Sequence, residues 1–220
     1  MRFRDRVDAG RELAEALVEL DLREPIVLGL PRGGVAVASE IAQRFRAPLD
    51  VFVTRKVSAP EHPGLAIGAV AEGGEEVVDR IAMTMLGISD EQFAEIAAHE
   101  RVELDRQVQQ YRGSHAAPAV EGRDVVLVDD GLSTGVTAIA ALRSLRRRRP
   151  RRLILAVPAC APDSSERLHA VADQVVCLIA PDHFRAIGQL YESLDETTDG
   201  DVQALLARGR VTARATLRSP

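Results

Sequence analysis

The sequence contains no tryptophan, and aromatic residues make up only 3% of it. Its two cysteines, Cys160 and Cys177, are too few for a secreted disulfide scaffold and lack the CxxC spacing of zinc or redox sites. No apolar run approaches the roughly 18 residues of a membrane span, and the first residues interleave charges with apolar side chains. We therefore expect a soluble, untargeted protein in a reducing cytoplasm, with no membrane partner.

The charge of the chain also excludes some partners. A formal net charge of −5 gives no general attraction to nucleic acid or to anionic membranes. Lys56 is the only lysine among 28 basic residues, so clusters of arginine are weak evidence in this sequence. The basic run at 143–152 lies at a predicted helix C-terminus, where cations complement the helix dipole. We expect no nucleic-acid partner, although this run keeps that alternative open.

The length of 220 residues and the hydrophobic content of 46% suit one well-buried domain. We predict this domain over residues 1–207, followed by a flexible tail over 208–220. Strand-like apolar runs alternate with amphipathic helical stretches, which is typical of an α/β fold with a doubly wound, mainly parallel sheet. We predict strands at 26–30, 49–54, 124–129, 152–157 and 174–179, and helices at 5–20, 34–45, 131–147 and 162–170, with a final amphipathic helix before the tail.

Residues 57–122 interrupt this alternation and are predicted to be an insertion beside the sheet. The segment begins with a Pro/Gly-rich loop at 58–64, continues with two short strands around Gly73-Gly74, and ends with a charged helix over 90–111. Its apolar positions suit either the core or a second copy of the chain in a homodimer. They are Ile88, Phe93, Ile96, Leu104 and Val108.

The segment 125–137 carries the clearest chemical signal. A buried strand is followed by Asp129 and Asp130, and then by a loop with two glycines and three hydroxyl side chains that opens a helix. Small residues at a helix N-terminus expose backbone amides and a positive dipole end, which favours a phosphate. Two adjacent carboxylates can accept hydrogen bonds from vicinal sugar hydroxyls. The segment therefore predicts binding of a sugar phosphate.

The alternative is that Asp-Asp-Gly forms an ordinary turn and that Ser133 or Thr134 caps the helix. A turn and a cap need one acidic or hydroxyl residue, whereas this segment has two acids and three hydroxyls. The GxxxxGK[ST] and GxGxxG patterns are absent, so neither nucleoside triphosphates nor dinucleotides are indicated. The five histidines show no ligand spacing, and we expect no metal site made by the protein alone.

This segment resembles the pyrophosphoryl-ribose binding motif of the type I phosphoribosyltransferases: an apolar run, two acids, three variable positions and Thr-Gly-x-Thr. The resemblance implies the fold of that family, with a small hood. It also implies that Asp129 and Asp130 hold the ribose hydroxyls. The residues that would surround the 5-phosphate are Ser133, Thr134, Gly135, Val136 and Thr137, and Gly131 and Leu132 would also bind the substrate.

A second loop, Leu-Pro-Arg-Gly-Gly at 30–34, looks like the pyrophosphate loop of the same family, which often contains a cis peptide. The resemblance implies that Arg32, Gly33 and Gly34 bind the pyrophosphate, although this short motif also occurs in plain turns. Arg55 and Lys56 are predicted at the end of the second strand, where Lys56 would stabilise the leaving group and Arg55 would contribute to binding. A solvated strand end is the alternative for these two cations.

The segment 181–195 is similar to the hood of purine-salvage members, in which an aromatic side chain stacks on the base. Phe184 is then a candidate for binding the acceptor, with a core phenylalanine as the alternative. Ser133 stands where 6-oxopurine enzymes of the family carry an aspartate that acts near N7 of the base. Hypoxanthine and guanine are therefore in doubt, and the acceptor stays unidentified.

The resemblance implies an enzyme that displaces pyrophosphate from 5-phosphoribosyl 1-pyrophosphate with a nitrogen nucleophile. The catalytic residues would be Asp129, Asp130, Arg32 and Lys56. Mg²⁺ would be bound mainly through the substrate, because it prefers oxygen ligands and keeps its waters. Part of 57–122 could close as a lid that excludes water. The alternative is a sensor that binds the same ligand without turnover.

Overall fold

The computed structural model describes residues 2–161, 167–181 and 187–216. The helices and strands follow in the order α1 (Arg6–Val18), β1 (Ile26–Gly29), α2 (Gly33–Phe45), β2 (Leu49–Val51), β3 (Thr54–Ala59), β4 (His62–Ala71), β5 (Glu75–Val78), α3 (Arg80–Leu86), α4 (Asp90–Arg112), β6 (Asp124–Val128), α5 (Val136–Arg147), β7 (Arg152–Ala159), β8 (Gln174–Ile179), a 3-10 helix (Ile187–Leu190) and α6 (Asp199–Thr216).

The main sheet has five strands in the order β2-β1-β6-β7-β8, and every neighbouring pair is parallel. The chain therefore leaves β1 toward one side of the sheet and later continues from β6 toward the other. All residues of β1 and β6 are buried, as expected for strands with helices on both faces. This arrangement confirms the predicted doubly wound, parallel sheet.

Two hydrophobic layers enclose the sheet. On one face α1, α2 and α6 pack on alternate strand residues such as Val27 and Val126, and α4 joins the same cluster through β3 and β4. On the other face α5 packs on their neighbours, among them Ile26 and Val125. The alternation follows from the pleat of the strands, which turns successive side chains to opposite faces. Both faces of the site-bearing strands are therefore rigidly supported.

The insertion forms a second sheet of three antiparallel strands in the order β3-β4-β5. The predicted turn at Gly73-Gly74 joins β4 to β5, with positive φ at both glycines. The expected loop at 58–64 is wrong, because β3 and β4 extend through it and pair from Thr54 to the tip of the hairpin. Backbone pairing overrides the turn preference of the proline and glycine residues there.

The second strand of the main sheet is also shorter than predicted. It ends at Val51, and the chain starts the separate strand β3 at Thr54. Arg55 and Lys56 therefore lie inside the antiparallel sheet and do not end a parallel strand. The sequence from 49 to 59 has continuous strand character, so its pattern gave no sign of the change from one sheet to the other.

The predicted charged helix is present as α4, which opens with a capping box between Ser89 and Gln92. Its last residue, Arg112, is buried and donates to Asp50 at 3.1 Å, to Glu72 at 2.8 Å and to the carbonyl oxygen of Val51 at 2.7 Å. This contact fixes the end of α4 to the edge of the main sheet. The insertion is thus anchored at its C-terminal end.

The five apolar positions singled out in the insertion belong to the core. Phe93 and Leu104 are buried, and Ile88, Ile96 and Val108 pack partly buried against the same cluster. Part of the predicted tail from residue 208 is helical, because α6 continues to Thr216. Residues 167–169 are helical, and the rest of the helix predicted at 162–170 lies mostly outside the described residues. No helix in the described ranges has the length and hydrophobicity needed to cross a membrane.

Candidate functional site

The loops after β1 and β6 lie side by side at the carboxyl edge of the main sheet. The Leu30 amide donates to the carbonyl oxygen of Val128 at 2.8 Å, which joins the two loops at their base. These neighbouring strands lead the chain in opposite directions across the sheet, so a crevice opens between their loops. Ligands of open α/β sheets bind in such a crevice. The two predicted binding loops therefore meet at the expected place.

The two glycines of the first loop are in direct contact with the acid pair. A methyl group on Gly33 would lie 1.9 Å from Oδ2 of Asp130, and one on Gly34 would lie 2.9 Å from Cα of Asp129. Any side chain at either position would overlap the acidic segment. The peptide between Pro31 and Arg32 is cis, as the resemblance implies for this loop.

The acid pair is held by hydrogen bonds from the protein. Oδ1 of Asp129 accepts from the Asp130 amide at 2.9 Å, and Oδ2 of Asp130 accepts from Nε of Arg6 at 2.8 Å. Burial and, next, the charge of the Asp130 carboxylate raise the pKa of Asp129 well above its usual value. One oxygen of each carboxylate is not used by these two contacts. A pair of neighbouring hydroxyls is the chemical group that such oxygens accept from.

The loop from Gly131 to Gly135 leads directly into α5. Gly131 and Gly135 have φ values of 153° and 70°, which favour glycine. Leu132 is buried and pairs with the end of β7, since its amide donates to the carbonyl oxygen of Ala159 at 2.9 Å. The middle of the loop is therefore tied to the sheet.

The rest of this loop presents free donors. Within the described part of the chain, the amides of residues 133–137 donate no hydrogen bond. The side chains of Ser133 and Thr134 are exposed, and that of Thr137 is half-buried. The amides lie at the positive end of the α5 dipole. This cradle of amides and hydroxyls can bind a phosphate dianion beside the acid pair.

The other predicted site residues make their contacts outside the acid pair and the loop 131–137. Arg32 forms an ion pair of 2.8 Å with Glu196, and both side chains are largely exposed. Arg55 pairs with Glu100 of α4 at 2.8 Å. Lys56 is exposed and donates to the carbonyl oxygen of Pro63 across the β3–β4 hairpin at 3.3 Å. Phe184 lies outside the described residues.

Three residues at the crevice were not predicted from the sequence. Arg6 reaches Asp130 from α1, Tyr191 donates from its hydroxyl to the carbonyl oxygen of Asp130 at 2.7 Å, and Glu196 pairs with Arg32. Each contact joins positions that are far apart in the chain. In a sequence so rich in arginine, no local pattern marks Arg6 as different from the other arginines.

The basic run at 143–152 is spread over several contacts within the fold. Arg146 pairs with Asp173 at 2.9 Å, Arg148 lies over the ring of Phe52, and Arg152 pairs with Asp124 at 2.8 Å. These three arginines are thus each paired or packed against other parts of the fold.

Comparison with known proteins identifies the relatives of this chain. The family model described as phosphoribosyl transferase domain matches residues 3–193. A Mycobacterium tuberculosis protein whose name assigns it to the phosphoribosyl transferases, Rv0571c, is 40% identical over 206 residues, which are 94% of this chain and 46% of the relative. The chain thus spans about half the length of the curated relatives it matches.

Solved structures agree with the fold. The crystal structure of TT1426 from Thermus thermophilus is 47% identical, with a TM-score of 0.80, and the match covers 94% of this chain and 99% of that one. The AQ2163 protein from Aquifex aeolicus is 15% identical, with a TM-score of 0.52, over 83% of this chain and 78% of its own. At that low identity the second match supports the fold alone.

Proposed function

This chain belongs to the phosphoribosyl transferase family, and we propose that it transfers a 5-phosphoribosyl group from 5-phosphoribosyl 1-pyrophosphate to a nitrogen acceptor. The observation that carries this proposal is the crevice between β1 and β6. There the free amides of residues 133–137, the acid pair Asp129 and Asp130, and the Gly33-Gly34 loop lie within one site. The donor carries its 5-phosphate, ribose and pyrophosphate in the same order as these three parts of the site.

The proposed mechanism assigns each loop one part of the donor. Amides and hydroxyls of the loop 131–137 bind the 5-phosphate, and the two carboxylates bind the 2′ and 3′ hydroxyls of the ribose. The amides of Gly33 and Gly34, with Arg32, offset the charge of the pyrophosphate as it departs. The C1–O bond breaks, the acceptor nitrogen forms the new C1–N bond, and the nitrogen loses its proton. The nearby carboxylates offset positive charge on C1 during this exchange.

Mg²⁺ would be held mainly by the donor in this proposal, with Asp129 and Asp130 as the protein residues nearest to it. The chemistry of the site fits this ion, because the oxygens of the acid pair are the donor type that it prefers. When bound it would neutralise charge on the leaving pyrophosphate. Lys56 remains a proposed contributor to the same task. Lys56 lies on the β3–β4 hairpin, and we propose that part of 57–122 closes toward the crevice.

Titration of the donor with Mg²⁺ into the wild-type protein and into the double variant Asp129→Asn, Asp130→Asn tests the proposal. We expect binding by the wild type and its loss in the variant, whose thermal unfolding should still be cooperative. Asp105→Asn is the matched control, because Asp105 is an exposed carboxylate on α4. Equal donor affinity in the double variant and the wild type would refute the site.

Release of pyrophosphate across a panel of nitrogenous bases tests the chemical step. Turnover with one acceptor identifies the second substrate. Donor binding without turnover on any base of the panel would favour the sensor over the enzyme. A thermal-shift screen is a sensitive first assay, because a ligand at 100 times its Kd stabilises a protein by about 2.7 kcal/mol.

A further inference from the structure

The guanidinium group of Arg6 joins the acid pair to the segment that follows the 3-10 helix. Its Nε and Nη2 atoms both lie 2.8 Å from Oδ2 of Asp130, and Nη1 lies 2.6 Å from the carbonyl oxygen of Asp195. Only 16% of the Arg6 side chain and 13% of the Asp130 side chain are exposed. A charge-assisted contact that is this well shielded is stronger than one in open solvent.

Residues 190–193 are themselves fixed to the start of the chain. The Phe3 amide donates to the carbonyl oxygen of Leu190, and the Glu192 amide donates to that of Phe3, both at 2.8 Å. Tyr191 packs its ring on Phe3 and donates from its hydroxyl to the carbonyl oxygen of Asp130 at 2.7 Å. The side chain and the backbone of Asp130 are therefore held by two different segments.

The charges around Asp130 explain why such an anchor is needed. Two adjacent, poorly solvated carboxylates repel each other, and Arg6 is the cation in direct contact with the pair. Asp5 and Tyr191 are ionisable groups that also interact with this part of the site. Without Arg6 the Asp130 carboxylate would have no cationic partner among its described contacts and would be free to change its rotamer.

We propose that Arg6 is a positioning residue for the acid pair: it fixes Asp130 for the sugar hydroxyls and couples occupation of the site to residues 190–196. The identity of the sugar ligand rests on the proposed function. The coupling itself does not, because it rests on the contacts of Arg6 with Asp130 and with the carbonyl oxygen of Asp195. Gly33 completes the arrangement, since a methyl group there would lie 2.7 Å from Nε of Arg6.

Calorimetric titrations with Arg6→Gln, Arg6→Lys and Arg11→Gln test the positioning role. Arg11 is the matched control, because it lies on the same helix and pairs with Glu40 at 3.0 Å away from the acid pair. We expect Arg6→Gln to weaken binding of 5-phosphoribosyl 1-pyrophosphate with Mg²⁺ by about tenfold, since preorganised contacts to the sugar are lost. Inorganic pyrophosphate with Mg²⁺ should bind nearly as before, because it makes no ribose contact. Arg6→Lys should recover part of the donor affinity, and Arg11→Gln should change the affinity for neither ligand.

Unchanged or tighter donor binding in Arg6→Gln would overturn the proposal, as would an equal loss of donor and pyrophosphate binding. Amide hydrogen exchange of the ligand-free proteins tests the coupling separately. We expect faster exchange in Arg6→Gln at residues 129–135 and 190–196 together, and not in Arg11→Gln. Unchanged exchange in both segments would refute the coupling. Failure of the wild type to bind the donor would instead count against the proposed function.

Discussion

A methyl group on Gly34 would lie 2.6 Å from the carbonyl oxygen of Val128. Real side chains do not approach backbone oxygens so closely, and Val128 cannot move away because it is buried within β6. The first turn of α2 therefore touches the end of the neighbouring strand at the point where the acid pair begins. The absence of a side chain at Gly34 sets the width of the crevice.

We predict that Gly34→Ala destabilises the protein by about 1–3 kcal/mol, the usual cost of forcing extra volume into a packed site. The added methyl group should also push apart the loops that follow β1 and β6, and so weaken binding of inorganic pyrophosphate. Urea denaturation and calorimetry measure the two effects. Gly64→Ala is the matched control, since nothing lies within 4 Å of a methyl group there. Equal stability of the two variants would contradict the close approach.

Replacing Asp129 should change the stability of the fold by an amount that depends on pH. Burial and the Asp130 carboxylate raise the pKa of Asp129, so the folded state binds a proton more tightly than the unfolded state. The stability linked to this proton is present below the unfolded pKa of about 3.9 and is lost as the pH rises through the folded pKa. Asp129→Asn should therefore stabilise the fold at pH 7, and the gain should vanish in acid.

Denaturant unfolding of Asp129→Asn and the wild type from pH 3.5 to pH 7.5 measures this difference. Donor binding should fall in the same variant, which separates stability from function. A variant that is less stable than the wild type at pH 7 would show that contacts of the ionised carboxylate outweigh its burial.

The pKa of Asp124, at the other end of β6, is shifted in the opposite direction. Burial alone would raise its pKa, but hydrogen bonds from Arg152, the Arg23 amide and Arg151 outweigh this effect and lower the pKa. The resulting stability is present above the unfolded pKa and is lost as the pH falls through the folded pKa. Asp124→Asn should destabilise the protein at pH 7 by about 1.5–3 kcal/mol, the range for hydrogen bonds to charged groups.

The same denaturation series tests Asp124→Asn, with the difference from the wild type shrinking as the pH falls. Donor binding should be retained, because Asp124 lies at the edge of the sheet remote from the crevice. Two aspartates at opposite ends of β6 would thus respond to pH with opposite signs. Parallel behaviour of the two variants would refute the assignment of either pKa shift.

The central strands, the two loops and the acid pair could be predicted because their signals are local. The apolar run before Asp129, and the glycines and hydroxyls after Asp130, define a strand, a turn and a helix start within a few residues. The course of the chain after Val51 could not be predicted in this way. The pattern of residues 49–59 is equally suited to one strand or two, and it carries no sign of the distant contacts of Arg112 that tie α4 to β2.

The contacts of Arg6, Tyr191 and Glu196 were not predictable for a different reason. They join the two ends of the domain to the central loops, and a single sequence has no local pattern that reports such pairings. Arg6 differs from Arg11 only in what the fold brings beside it: Asp130 in one case and Glu40 in the other. Tertiary packing, and not residue type, gives these side chains their place in the site.

Arg112 is the residue whose loss should most weaken the insertion. Arg112→Met would leave Asp50 and Glu72 buried without their cation, which typically costs about 3–5 kcal/mol. Arg106→Met is the control on the same helix, because the exposed pair of Arg106 with Glu103 should contribute little to stability.

Neutralising Asp50 and Glu72 should restore part of the free energy of unfolding that Arg112→Met loses. In the triple variant Arg112→Met, Asp50→Asn, Glu72→Gln, no buried charge of this cluster remains unpaired, so its free energy of unfolding should exceed that of Arg112→Met. Urea denaturation gives the free energies, and amide exchange across β3 and α4 shows whether the insertion loosens before the main sheet. A triple variant no more stable than the single one would mean that the hydrogen bond from Arg112 to the carbonyl oxygen of Val51, and not its charge, holds α4 to the sheet.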